Sequence, residues 1–174
     1  MNRTLAFAAP LLAALAGCQS VGSIPTERIG QATLRQGNGL PAGTAQLLAS
    51  GTDVTLTVAV AGLPAGTHGI HLHTAGKCDG PDFTTAGGHL NPAGHQHGSD
   101  NPAGKHLGDL PNIVTGAAGT GTITVTLGAR DAVLASLFDA DGTAIVVHAG
   151  PDDYRTDPSG NSGSRIACGV FSRT

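Results

Sequence analysis

Apolar and polar residues alternate along several short stretches of the chain, a pattern typical of β-strands with one buried face. Residues 53–60 and residues 120–127 both show it, and residues 144–148 form an apolar run that ends in a histidine. On the first of these strands, the side chains predicted to share the buried face are Val54, Leu56, Val58 and Val60. Shorter strands are predicted at 31–35, 44–49, 68–73 and 164–171. The pattern predicts an all-β sandwich or barrel without a helix.

Two long stretches interrupt this pattern. Residues 74–112 are rich in Gly, Pro, Asn and His and contain few apolar side chains, and residues 149–163 are similarly irregular. A loop as long as the first is usually functional or disordered in a compact domain. Because it also carries several histidines, we expect bound metal to order it.

Composition agrees with one β domain. The chain has 174 residues, which suits a single core, and we find no internal repeat. Charged residues make up only 12% and Glu27 is the sole glutamate, so residues that favour helices are scarce. The net charge is -3 and no basic run accompanies aromatic residues, so nucleic acid is not an expected partner.

The N-terminus has the features of a bacterial lipoprotein signal. Arg3 precedes an apolar run that is too short to span a bilayer and that ends in Leu15-Ala16-Gly17-Cys18, which resembles a lipobox. We therefore expect residues 1–17 to be a signal peptide, 18–27 to be a lipidated Cys18 and its tether, and 28–174 to be the folded domain. The alternative is an ordinary secretory signal in which the cysteine is incidental.

The cysteines are consistent with export. If Cys18 carries lipid, Cys78 and Cys168 remain as a pair, and in an oxidising compartment they would form a disulfide. Two unpaired buried thiols are the alternative.

Six of the eight histidines and one aspartate form a spaced set that suggests two metal sites sharing a ligand. The set comprises His71, His73, His89, His97, His106, Asp109 and His148. His71 and His73 share one face of a predicted strand, and with His148 they favour an imidazole site for Cu(II). Two histidines and a carboxylate of the long loop suit tetrahedral zinc, and His89 could supply the remaining ligand.

The sequence around these residues resembles the copper/zinc superoxide dismutases, in their exported bacterial form. The segments that carry the resemblance are Gly69-Ile70-His71-Leu72-His73, Gly88-His89-Leu90-Asn91-Pro92, His97-Gly98, residues 105–112, Ile145-Val146-Val147-His148 and residues 160–169. The match runs from about residue 28 to the C-terminus. It implies an eight-stranded Greek-key β-barrel with long metal-binding loops.

The resemblance also implies roles for individual residues. The implied copper ligands are His71, His73, His89 and His148. The implied zinc ligands are His89, His97, His106 and Asp109, with His89 bridging the metals. Arg165 resembles the arginine that guides the anion to copper, and Asp152 resembles the carboxylate that braces ligands of both metals. Cys78 and Cys168 resemble the structural disulfide.

The function expected from the resemblance is dismutation of superoxide to oxygen and hydrogen peroxide in the cell envelope. Its cofactors would be copper and zinc, and a lipid anchor would hold it at a membrane. One alternative is an envelope lipoprotein that buffers or delivers copper or zinc, and another is a non-catalytic β-barrel module. The complete ligand set together with Arg165 disfavours both. The family includes monomers and dimers, so a homodimer stays open.

Four further residues have no assigned role in the metal sites. We expect His68 to be structural, because strand alternation turns it away from His71. His95 is either a solvated loop residue or a competitor for zinc. Lys77 and Lys105 are the only lysines, and both lie in the long loop, where they either steer superoxide or are ordinary solvated side chains.

Overall fold

A computed structural model describes residues 26–174 of the chain. The predicted signal peptide, Cys18 and most of the predicted tether lie outside these described residues. Strand β1 begins at Thr26, within the segment 18–27 that is predicted to be the tether. Its first residues pair with the end of the neighbouring strand, with Glu27 opposite Ala49.

Within residues 26–174 the chain forms ten β-strands, one α-helix and one short 3-10 helix (Thr84–Ala86). The strands are β1 (Thr26–Gln36), β2 (Pro41–Ser50), β3 (Asp53–Val60), β4 (Gly66–His68), β5 (Ile70–His73), β6 (Ile113–Thr115), β7 (Gly121–Ala129), β8 (Ala144–His148), β9 (Arg165–Val170) and β10 (Ser172–Arg173).

Eight of these strands form one curled antiparallel sheet. Its main path runs β5-β8-β9-β1-β2-β3-β7, and β10 pairs with β1 outside this path. Strands β4 and β6 form a separate antiparallel pair. The prediction of an all-β fold built on eight strands is confirmed.

Strands β1, β2 and β3 form the part of the sheet that the alternating pattern predicts best. The predicted face of β3 is buried, with Val54, Leu56 and Val58 fully enclosed. Leu34 of β1 and Leu47 of β2 lie in the same core. Period-two alternation puts these side chains on one face, and removing them from water stabilises the sheet.

The prediction that no helix forms is wrong for a short segment. Helix α1 (Arg130–Leu137) follows β7 and buries Val133 and Leu137, which lie one turn apart. Only these two of its eight residues are buried, and so short a buried face does not show a clear helical period against a background of alternating strands. Within residues 26–174 no helix is both long enough and apolar enough to cross a membrane.

The predicted strand at 68–73 is divided at Gly69. The backbone N–H of Gly69 donates to Gly150 O (2.7 Å), and its carbonyl accepts from His148 N (2.8 Å). A β-carbon on Gly69 would lie 2.7 Å from the Ser162 side chain, so glycine allows the two chains to approach. β4 therefore pairs with β6, whereas β5 joins the main sheet beside β8.

A small second core ties the long loop to the sheet. Phe83 and Ala86 of the loop pack with Ala144 and Val146 of β8, next to Cys168 of β9. Cys78 and Cys168 form a disulfide, which confirms their predicted pairing. The disulfide closes a long segment of chain, and such closure stabilises a fold by restricting its unfolded state.

Candidate metal centre

The strands at one edge of the sheet present three histidines to the same space. β5 pairs with β8, and the alternation along β5 directs Ile70 and Leu72 into the core. His71 and His73 therefore point to the opposite face, as the sequence predicts. His148 ends β8 and is buried beside them.

The long loop returns to β5 twice, and backbone hydrogen bonds fix both returns. Leu90 N donates to Leu72 O (2.8 Å), and Leu72 N donates to Gly108 O (3.0 Å). These bonds bring His89 beside His73, and Asp109 beside His71. A side chain at position 108 would collide with the Leu72 carbonyl, so glycine is required there.

The four predicted copper ligands lie together in the structure. One ring nitrogen from each of His71, His73, His89 and His148 lies within 4.8 Å of the others, and all four residues are buried. The nitrogens that face this space are His71 Nδ1, His73 Nε2, His89 Nε2 and His148 Nε2, and none has a hydrogen-bond partner. Unpartnered buried polar atoms are costly, and a metal ion would satisfy all four.

The remaining ring nitrogens of three of these histidines donate to fixed acceptors. His71 Nε2 donates to Asp152 Oδ2 (2.8 Å), and His73 Nδ1 donates to Gly87 O (2.9 Å). His148 Nδ1 donates to Gly163 O (3.1 Å). A neutral imidazole has one N–H, so each of these bonds leaves the inward nitrogen with a free lone pair.

The predicted zinc ligands form a second group. His89 Nδ1 and His97 Nδ1 each lie 2.9 Å from Asp109 Oδ1, and His106 Nδ1 lies 3.2 Å from it. His97 Nδ1 lacks hydrogen-bond geometry despite this distance. Four ligand atoms that each lie 2.0–2.1 Å from a tetrahedral zinc ion are about 3.3 Å from one another, so the spacing of these ligand atoms fits a zinc ion.

His89 belongs to both groups. Its Nε2 faces the first group without a partner, while its Nδ1 lies against Asp109 in the second. This position would suit a ligand shared by two metals, since an imidazole offers its two nitrogens in opposite directions, and the sharing stays a prediction.

Asp152 joins the two groups from outside. Its Oδ2 accepts from His71 and its Oδ1 accepts from His97 Nε2 (3.0 Å). The Asn112 side chain holds the backbone of Asp152, since its Nδ2 donates to Asp152 O (3.0 Å) and its Oδ1 accepts from Asp152 N (2.8 Å). A side chain at position 160 would collide with the Asp152 carboxylate. Asp152 therefore contacts one histidine of each group, and its role as a brace for the metal ligands stays a prediction.

Two of these supporting residues were not assigned from the sequence. Asn112 and Gly160 fall in quoted motifs, but their types alone are those of ordinary loop residues. Only the approach of the two loops reveals what they contact.

The electrostatics of the site favour metal binding. Burial lowers the pKa of His71 to about 3, of His73 to about 2 and of His148 to about 4. Burial alone would raise the pKa of Asp109, but hydrogen bonds from His89, Gly98 and His106 hold it well below its usual value. Neutral imidazoles and an ionised carboxylate are the forms that bind metal.

A cavity of about 500 Å³ opens onto the first group of histidines. Arg165 lines it beside His148, its partner in the pairing of β8 with β9. The guanidinium donates to Phe83 O and to Gly87 O, both at 2.7 Å. Arg165 is half-buried, so these bonds fix a positive charge on the cavity wall.

The unassigned residues have distinct positions. His68 is buried and hydrogen-bonded to the carbonyls of His148 and Pro64, in line with the structural role expected for it. His95 is exposed on the cavity rim and lies outside both ligand groups. Lys77 and Lys105 are exposed and do not line this cavity, and their steering role stays a prediction.

Comparison with known proteins agrees with this geometry. Residues 41–171 match the family model described as copper/zinc superoxide dismutase. The chain is 44% identical over 132 residues to "Superoxide dismutase [Cu-Zn] 1" of Aquifex aeolicus, covering 74% of this chain and 78% of that one. It is 39% identical to a protein of the same class from Deinococcus radiodurans, over 98% of both chains. The crystal structure of a double mutant of a superoxide dismutase-like protein from Bacillus subtilis is similar, with a TM-score of 0.75, 36% identity, and coverage of 80% of this chain and 95% of that one.

Proposed function

The chain belongs to the copper/zinc superoxide dismutase family, and from this premise we propose which of its residues hold the metals. The proposed copper ligands are His71, His73, His89 and His148. The proposed zinc ligands are His89, His97, His106 and Asp109. The protein is a superoxide dismutase: it converts two superoxide anions and two protons into oxygen and hydrogen peroxide.

One observation carries this assignment. The inward nitrogens of the four proposed copper ligands are buried without partners, while the outward nitrogens of three donate to fixed oxygens. A purely structural histidine cluster would pair these nitrogens with one another or with water. Convergent lone pairs held by outer hydrogen bonds are what a metal site needs before the metal arrives.

When bound, copper supplies one-electron transfer between Cu(II) and Cu(I), and zinc, which has no redox chemistry, supplies a fixed positive charge. His89 can hold a proton at Nε2 whenever that nitrogen is free of metal, and its Nδ1 stays beside Asp109. His89 lines the cavity, so it would be in a position to supply a proton to the peroxide product.

Arg165 is the proposed anion guide. Its guanidinium is charged at neutral pH, is fixed by two carbonyls and lies on the wall of the cavity. A protein of net charge -3 repels superoxide on average, so local positive charge must attract the anion. A protein that only buffers or delivers metal has no use for such a group, and this disfavours the storage alternative.

Metal analysis of three histidine variants tests the ligand assignment. His148→Ala should lose copper and activity but keep zinc, because this residue belongs to one group only. His89→Ala should weaken both sites. The matched control is His95→Ala, which removes an exposed histidine outside both groups and should retain both metals. Copper retained in His148→Ala, or zinc lost from His95→Ala, would refute the assignment.

We also propose that the protein is a lipoprotein of the cell envelope, anchored through Cys18. The support is the lipobox-like Leu15-Ala16-Gly17-Cys18 and, independently, the disulfide between Cys78 and Cys168, since disulfides persist in oxidising compartments. Anchoring would act on location alone, because the metal ligands begin more than fifty residues later.

Fractionation of cells that express Cys18→Ser tests the anchor. The wild-type protein should be in the membrane fraction, and the variant should be soluble with the same activity per copper. A wholly soluble wild-type protein with its N-terminus at another residue would contradict the proposal. Sedimentation of the soluble variant would also distinguish a monomer from a homodimer.

A further inference from the structure

The cavity that leads to the proposed copper site carries charges of both signs. Among the described residues that line it, Arg165 carries a guanidinium and Asp157 carries a carboxylate. Asp157 is exposed, so its charge faces the solvent through which the substrate arrives. A carboxylate on this wall opposes the attraction that Arg165 provides to an anion.

Asp157 also makes a contact that a surface carboxylate does not need. Its Oδ1 accepts a hydrogen bond from the backbone N–H of His97 at 2.6 Å. His97 is fully buried, and its ring lies between Asp109 on one side and Asp152 on the other. The bond therefore connects the loop of residues 149–163 to the backbone of a proposed zinc ligand, sixty residues earlier in the chain.

We propose that Asp157 is a positioning residue that fixes His97 in the zinc site and that its charge slows the approach of superoxide. The two effects belong to different properties of one side chain. Positioning requires an oxygen that accepts the His97 N–H, whereas repulsion requires the negative charge. The inference rests on the proposed function, because it takes this cavity to be the entrance for superoxide.

Substitution can separate the two properties. Asp157→Asn keeps an amide oxygen in nearly the same place and removes the charge. Asp157→Ala removes both. Asp53→Asn controls for the change in net charge. Asp53 lies at the exposed start of β3, and no residue of this strand lines the cavity or belongs to the metal groups.

The size of the cavity sets the expected effect on rate. A space of about 500 Å³ is roughly 8 Å across, and two unit charges at that distance in a partly aqueous medium change a rate roughly two- to sixfold. The effect should decrease as salt shortens the screening length from about 30 Å to about 8 Å.

The experiment measures superoxide decay by pulse radiolysis for the wild-type protein and the three variants, each reconstituted to the same copper and zinc content. Asp157→Asn should be roughly two- to sixfold faster than the wild type at low ionic strength and nearly equal to it at high ionic strength. Asp53→Asn should match the wild type throughout. Equal rates for Asp157→Asn and the wild type, or an equal gain in Asp53→Asn, would overturn the charge effect.

Zinc affinity, measured by competition with a chelator, tests the positioning role without any activity assay. Asp157→Asn should stay within about threefold of the wild type, whereas Asp157→Ala should bind zinc at least about tenfold more weakly. Equal affinities in the two variants would overturn the positioning role. The wild-type rate and the metal content of the His148 variant test the proposed function separately, so its failure would be recognised independently.

Discussion

The sheet formed by β1, β2, β3 and β7 and the metal-binding side of the molecule are held together in different ways. In the sheet, neighbouring long strands pair over eight or more residues, with bulges in the β1–β2 and β3–β7 ladders, and fully buried side chains such as Leu34, Leu47 and Leu56 fill the core. On the metal side, residues 74–112 and 149–163 contain few apolar side chains, and short backbone contacts, Asp152 and one disulfide hold them in place.

The difference indicates which part of the structure should depend on metal. Apolar burial stabilises the sheet whether or not an ion is present. The metal side instead places buried ring nitrogens without partners around two centres, an arrangement that is unfavourable until an ion binds. We therefore expect the two regions to respond separately to the loss of metal and to mutation.

Removal of both metals should produce the largest contrast. Amide hydrogens of residues 88–112 should exchange at least about 100-fold faster in the metal-free protein, because metal binding contributes directly to the local folding free energy. Amides of β2 and β3 should keep most of their protection. Hydrogen exchange with mass spectrometry measures this, and an equal loss of protection in both regions would show that the sheet also depends on the metals.

A mutation that creates a cavity in the sheet core should destabilise the sheet and leave the metal sites unaffected. Leu56→Ala removes a fully buried side chain, and we expect it to lower the free energy of unfolding by about 2–5 kcal/mol while copper and zinc content stay unchanged. Chemical denaturation of the metal-loaded protein measures the change. The control Val114→Ala, at a position that is 65% exposed, should change it by less than about 0.5 kcal/mol. Loss of metal from the Leu56→Ala variant would show that the metal sites depend on packing in the sheet core, and it would contradict the separate response of the two regions.

Loss of the Asp152 brace should affect the metal side alone. Asp152→Ala removes the acceptor for His71 and for His97, so we expect both copper and zinc affinity to fall about 10- to 100-fold. Exchange protection in β3 should be unchanged. Chelator competition measures the affinities, and Asp131→Ala, on the exposed start of α1, is the matched control. A loss of affinity for only one of the two metals would mean that Asp152 does not link the two groups.

The smallest structural effect should come from Arg165. Arg165→Ala should lower the rate constant roughly tenfold with metal content unchanged, and Arg165→Lys should recover part of the rate because charge survives while the planar fork is lost. The wild-type rate should also fall as ionic strength rises. If Arg165 only braces the loop, the variants would lose metal or unfold earlier, and variants with and without charge would react equally fast.

The two regions also differed in how well the sequence predicted them. Alternation placed Val54, Leu56 and Val58 in the core correctly, because each strand reports its own buried face. The pattern does not predict helix α1, because its buried face holds only Val133 and Leu137. The types and motifs of the proposed ligand histidines are enough to single them out in the sequence. Asn112, Gly160 and Asp157 could not be singled out in this way, because their roles depend on contacts between loops that are far apart in the chain.

The most direct test of the central claim is a titration of the metal-free protein with copper and zinc, followed by elemental analysis and a superoxide dismutation assay on the same samples. We predict that binding saturates at one copper and one zinc per chain and that activity rises in proportion to copper. Saturation at a single metal ion per chain, or zinc alone after copper loading, would contradict a two-metal centre that shares His89.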